Sequence, residues 1–155
     1  MRSLHRRLAF QAPPLVRSGP LDAATLGMAI RSLGIAADEV VDAACVDSGP
    51  GWVAVRIEDP DRVLAIEQEY APVDIGIVAP YPPGVSAQFE VRAFFPVDRV
   101  MREDPVMGSL NASLAQWMLA EGVAQAPYIA AQGKALGRDG ACLCRGGCGG
   151  DLDRW

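Results

Sequence analysis

The sequence predicts an α+β domain in which a curved mixed β-sheet wraps around one central apolar helix. Three observations predict it. Short segments of alternating or unbroken apolar residues recur from Arg7 to Arg145. One run, Leu110 to Ala120, is apolar nearly all round, interrupted only by Asn111, Ser113 and Gln116, which is the pattern of a helix enclosed by protein. The chain has 155 residues and shows no repeat, linker or low-complexity tract before residue 145, which suits a single domain with its own core.

Taken in order, Arg7 to Gln11 reads as a strand stopped by Ala12-Pro13-Pro14, and Ser18-Gly19-Pro20 as a turn. Leu21 to Leu33 carries a loose helical stripe, with Gly34 as its stop. Glu39 to Asp47 and Gly51 to Glu58 read as two strands around Ser48-Gly49-Pro50-Gly51. The second alternates, with Trp52, Ala54 and Arg56 on one side and Val53, Val55 and Ile57 on the other. Asp59-Pro60 opens a short helix, because aspartate caps and proline suits a first turn. Asp74 to Ala79 and Gln88 to Phe95 follow as strands. In the latter Phe89, Val91, Ala93 and Phe95 face inward, opposite Glu90, Arg92 and Phe94. Arg92 reads as a surface or bridging residue, and Trp52 as core or interface. After a loop and the apolar helix, with Gly122 past its end, come strands at Pro127 to Gln132 and Gly140 to Arg145. The ordered core is expected over about residues 6–140. The Gly- and Cys-rich tail, 141–155, has little to bury and is expected to fray.

Composition excludes several classes of function. Fourteen Lys plus Arg against 19 Asp plus Glu give a net charge of −5, which argues against nucleic acid and anionic membrane as partners. No apolar run approaches the ~20 residues of a membrane span. The basic start MRSLHRRLAF is cut off by Gln11 and Pro13-Pro14 before a signal segment forms, so a cytoplasmic protein is expected. Of the four cysteines, Cys142, Cys144 and Cys148 cluster, but CLCRGGC is not a common zinc spacing and the one histidine, His5, is remote. Neither a metal, an organic cofactor nor a disulfide framework is expected.

Chemistry concentrates at Glu103-Asp104-Pro105-Val106-Met107-Gly108-Ser109, directly before the apolar helix. Gly108 lets backbone approach a bound group, Ser109 suits an N-cap, and the first amides of a helix form an anion site. Spacing alone leaves open whether this is a ligand site or only a capped core helix. The Glu103–Asp104 pair would shift one pKa by like-charge repulsion if the two carboxyls faced each other.

EDPVMGSLNASLAQW resembles the EDPVTGS-type motif of PhzF-like isomerases, the phenazine-biosynthesis relatives of diaminopimelate epimerase. LAFQAPPLVRSGP, DSGPGWVAV, EVRAFFP and YIAAQGKALGR follow the family in the same order, over most of residues 8 to 138. The resemblance implies a diaminopimelate-epimerase-like fold of two similar halves, each a sheet curled round a central helix, and this chain looks like the second half only. It implies Asp104 as an active-site residue and Gly108 and Ser109 as the pair holding substrate. The glutamate and the histidine motif of the first half have no counterpart here. Met107 stands in place of the family's threonine and Ser48 where asparagine is common. The tail departs from the family, as a reading-frame change near residue 141 or a truncated gene copy would produce.

The implied chemistry is cofactor-independent proton transfer at carbon on a small carboxylic acid. Three readings stay open: a second half-domain that is weak or inactive without a separate N-terminal half, a homodimer that completes its own cleft, and a noncatalytic binding or interaction module.

Overall fold

The computed structural model describes residues 8–11, 15, 17–47, 51–104, 108–138, 140–145 and 151–154. The strands are β1 (Leu8–Gln11), β2 (Arg17–Pro20), β3 (Asp42–Asp47), β4 (Trp52–Arg56), β5 (Asp74–Pro80), β6 (Phe89–Val97), β7 (Val100–Asp104), β8 (Tyr128–Gln132), β9 (Gly140–Arg145) and β10 (Asp151–Arg154). The helices are α1 (Ala23–Leu33), α2 (Pro60–Ala65) and α3 (Gly108–Ala120). They form one ten-stranded sheet in the order β1-β10-β9-β8-β6-β5-β4-β3-β2, with β7 pairing the free part of the β6 edge. The sheet is mixed, since β4–β5 and β6–β8 run parallel while the other pairs are antiparallel.

Covalent geometry forces this sheet to curl. Laid flat, the path from β1 to β2 would span roughly 38 Å at about 4.8 Å per strand. The chain between Gln11 and Arg17 reaches only about 21 Å fully extended, so the two edges must bend toward each other. α3 fills the hollow that results. Its Leu110, Ala112, Leu114, Ala115 and Met118 share one core with Ala44, Trp52, Ala54, Val78, Val91, Tyr128 and Cys144. A helix about 10 Å across can meet six strands only if the sheet wraps it. Even Asn111 and Ser113 are buried. At its far end, Gly122 (φ 71°) donates to Leu119 O and Val123 to Met118 O, closing the helix by a left-handed glycine cap.

The other face of the sheet carries α1 and α2, over Val53, Val55, Ile57, Ile75, Ile77 and Phe94. Local chemistry starts and stops these helices as the sequence suggests. Asp22 caps α1 by accepting from Thr25 N at 2.6 Å, and Gly34 ends it at φ 67°. Asp59 caps α2 ahead of Pro60. With both faces covered, the alternation in β4 and β6 separates two cores rather than core from solvent.

Three segments differ from the sequence reading. Residues 100–104, read as loop, form β7, because Asp98 (φ 51°) and Arg99 (φ 61°) make a two-residue turn of the type that suits a hairpin. Ser18-Gly19-Pro20, read as a turn, is the edge strand β2, where proline is tolerated because one side has no partner strand. The tail does not simply fray after residue 140. β9 places Cys142 and Cys144 in the α3 core, where cysteine behaves as a small hydrophobe, and β10 lies between β9 and β1. The hydrogen bond with Cys142, together with burial, pushes the Cys144 thiol up.

Candidate functional site

Register fixes which residues meet at the tip of α3. Ala54, Gly76, Ala93 and Asp104 lie side by side across β4, β5, β6 and β7, on the face toward α3. The first turn of the helix rests on this row. A Cβ built on Gly76 would lie 2.7 Å from Leu110 Cδ2, so only glycine lets the helix come this close. One step further out, Trp52 pairs with Asp74. Trp52 is 2% exposed, and its Nε1 donates to Ser109 Oγ at 3.0 Å. α3 begins at Gly108, so Ser109 sits inside the first turn rather than capping it, with its hydroxyl oriented by the indole.

Asp104 ends β7 at the point where the chain leaves the sheet to become the central helix. β7 and β8 share one edge of β6, end to end, and Gln132 closes the junction from the last position of β8. Its Nε2 donates to Asp104 O at 2.9 Å, and its Oε1 accepts from Asn111 Nδ2 at 2.7 Å. Gln132 is 1% exposed and Asn111 2%. One amide thus ties both ends of the 105–107 connection, the strand end and the first turn of α3. Proline 105, valine 106 and Met107 themselves lie outside the described residues, as do Ser48 and His5.

Glu103 and Asp104 do not face each other. Asp104 pairs with Ala93 and shares the α3 face, while Glu103 pairs with Phe94 and shares the opposite one. There Arg92 grips Glu103 through Nε–Oε1 at 2.7 Å and Nη2–Oε2 at 3.0 Å, with both side chains buried. Arg92 Nη1 also donates to Val63 O and Ile66 O, at 2.9 and 2.8 Å, holding the end of α2 against the sheet. Arg92 is therefore the bridging residue of the sequence reading, but a buried one. Next to it Glu90 is wholly buried. Tyr81 OH donates to its Oε2 at 2.6 Å, and among the described residues Oε1 has no hydrogen-bond partner. Burial raises the Glu90 carboxyl above its ordinary value.

A family model described as phenazine biosynthesis-like protein matches residues 5–145. The chain belongs to the PhzF family. The crystal structure of the Bacillus anthracis phenazine biosynthesis protein, PhzF family, superposes on this PhzF-family chain with a TM-score of 0.70 at 13% sequence identity. The match covers 94% of this chain and 55% of that one, so this PhzF-family chain spans about half the length of its solved relative. No curated protein sequence matches it. The likeness establishes the diaminopimelate-epimerase-like fold expected from the motifs.

Within this PhzF-family fold, the structure places Asp104 at the end of β7 and Gly108 and Ser109 in the first turn of α3, the three residues singled out from sequence. It adds Trp52, Gln132 and Asp74, which sequence reasoning left aside. A glycine inside the apolar strand Asp74–Pro80 was the available signal, because it marks close approach of another element and puts Asp74 on the same face. A cavity of about 380 Å³ opens at the other end of α3, among Leu15, Pro20, Ala44, Trp117 and Glu121. Another, of about 360 Å³, lies among Asp38, Glu39, Glu58, Asp59 and Arg62. Asp104 and Ser109 line neither. Among the described residues no three His, Cys, Asp or Glu side chains are grouped to hold a metal ion, and no helix is long and apolar enough to cross a membrane.

Proposed function

We propose that this chain is the aspartate-bearing half of a PhzF-type isomerase, holding a small carboxylic acid at the tip of α3 and moving a proton between its carbons. One observation carries the reading: the Trp52 indole donating to Ser109 Oγ at the first turn of a buried helix. Indole N–H is a donor only, so the Ser109 hydroxyl proton must seek an acceptor elsewhere. A ligand carboxylate at the helix tip is such an acceptor, and the first amides of α3 add to its binding. The same donors would stabilise negative charge that builds up as a proton leaves the neighbouring carbon. Asp104, tethered through Gln132, is the proton-transfer partner on the strand side of the ligand.

The scheme uses no metal and no organic cofactor. Family resemblance puts the glutamate base in the half that has no counterpart here, and losing a general base costs on the order of 100- to 10,000-fold. Alone, the chain is therefore a weak catalyst. A separate N-terminal half or a second copy would supply the missing wall.

Solvent-deuterium uptake into a dihydrobenzoate, a small ring acid with a labile carbon-bound proton, tests the reading. Slow uptake above that of Asp104→Ala is the expected result. Uptake no faster than this control would remove the enzyme reading for the chain by itself.

A further inference from the structure

A second carboxyl, besides Asp104, lies on the sheet face toward the tip of α3. Three placements put Asp74 there. Along β5, Ile75, Ile77 and Ala79 pack with α1 and α2, so Asp74, Gly76 and Val78 face α3. Asp74 pairs with Trp52, whose indole holds Ser109. Continuing the Ile75–Phe94 pairing by one residue brings Phe95 beside Asp74, with Arg102 of β7 next in the row. From Asp74 to Asp104 is two strands sideways and two residues along, roughly 12 Å between Cα atoms. The two carboxyls thus share the face of the sheet on which the first turn of α3 rests, and a small acid held at Ser109 would lie against that face.

Asp74 is partly buried, and among the described residues no hydrogen bond or ion pair reaches its carboxyl. Desolvation raises its pKa above the ordinary carboxylate value, with no opposing partner. An aspartate that serves to brace a strand end or cap a turn would show the backbone donors that Asp22 and Asp59 show. Asp74 shows none.

We propose that Asp74 is the second acid–base carboxyl of this site. Resting on the isomerase reading above, it supplies a base within this chain. The Asp74 carboxylate takes the proton from the ligand carbon and becomes a carboxylic acid. The electron pair left behind delocalises into the conjugated carboxylate of the ligand, held by the Ser109 hydroxyl and the amides of the first turn. The proton returns from Asp74 to a different carbon of the same skeleton, so nothing is oxidised or reduced. A carboxyl that binds its proton more tightly than a surface aspartate is the stronger base when ionised. Among the described residues, Asp104 and Arg102 are the other charged residues that register places on this face at the tip.

The test uses the full chain with two readouts. The first is binding of benzoate, followed by the Trp52 indole N–H resonance, which Trp52→Phe assigns. The second is deuterium uptake into a dihydrobenzoate as a function of pH. Asp74→Asn should lower uptake at least about 100-fold and Asp74→Glu should restore part of it. Asp74→Asn should also bind benzoate about 3-fold more tightly at neutral pH, since a like charge some 7 Å away has gone. Wild-type uptake should fall on the acid side as Asp74 takes up its proton. Uptake by Asp74→Asn at the wild-type rate, with benzoate affinity unchanged, overturns the assignment and leaves the isomerase reading standing. A wild-type chain that binds benzoate but takes up no deuterium overturns the base role. If no variant shifts the Trp52 resonance with benzoate, the tip is not a carboxylate site, and both proposals fall together.

Discussion

Replacing Gln132 with leucine removes the amide that joins the end of β7 to the first turn of α3, at nearly constant volume. Asn111 Nδ2 loses its 2.7 Å acceptor and Asp104 O its 2.9 Å donor, in a place where Gln132 and Asn111 are 1% and 2% exposed. Water cannot easily replace either partner. Each lost hydrogen bond at a buried group costs about 1–3 kcal/mol, offset in part because the leucine has no polar group of its own to bury. A net loss of about 2–4 kcal/mol is expected, within the roughly 5–15 kcal/mol that holds a domain of this kind folded. With a urea dependence of about 2 kcal/mol/M, the unfolding midpoint should fall by about 1–2 M. Asn111→Leu alone should cost a similar amount. The double variant should cost clearly less than the two singles together, because the Asn111 Nδ2 donor and its Gln132 Oε1 acceptor are then both gone and only Asp104 O still lacks the amide, giving a coupling of about 1–3 kcal/mol. Urea unfolding followed by tryptophan fluorescence measures all four proteins. A midpoint shift below about 0.5 M, or strict additivity in the double variant, would refute the clamp.

Three further outcomes are expected. Gly76→Ala places a methyl group 2.7 Å from Leu110 Cδ2, so α3 must shift. A loss of about 1–3 kcal/mol and a displaced Trp52 indole resonance should accompany it, whereas unchanged stability would mean the helix does not rest on β5. Glu90→Gln should stabilise the protein near neutral pH. Because burial raises the folded pKa of Glu90 above 4.5, its ionisation opposes folding as pH rises through the unfolded value, so the gain should vanish below about pH 4, as melting curves at two pH values would show. Arg92→Met strands Glu103 and the carbonyls of Val63 and Ile66, and should cost about 3–5 kcal/mol in chemical denaturation. A loss under 1 kcal/mol would contradict the buried ion pair.

Much of the fold was legible because its elements announce themselves locally. α1 and α2 carry aspartate caps, β4 alternates cleanly, and α3 is apolar all round because it has protein on every side. What could not be read was set by distant partners. β7 carries charges at Arg102, Glu103 and Asp104, which argue for loop, yet Arg92 neutralises Glu103 from the neighbouring strand. The cysteines of β9 looked out of place until Tyr128 and α3 surrounded them. At the candidate site, the motif named Asp104, Gly108 and Ser109, whereas Trp52, Asp74 and Gln132 lie 21 to 57 residues from their partners and come there only through register. Sequence adjacency misleads at Glu103–Asp104, where strand alternation sends one carboxyl to each face.

Folding and the proposed chemistry rest on different parts of this chain. Both faces of the sheet find cover within it, α3 on one side and α1 with α2 on the other, and each core is closed by residues that lie almost wholly out of solvent. Stability therefore does not need a second wall. The tip of α3 is different: Ser109, Asp74 and Asp104 are all partly exposed, although Leu110 and Trp52 beside them are buried. The proposed proton abstraction from carbon needs exclusion of water as well as a base, since the charge stabilisation proposed for Ser109 and the helix amides would weaken in a high dielectric. On the isomerase reading proposed above, a partner that closes over this end would strengthen each of those interactions without forming one new bond to the substrate.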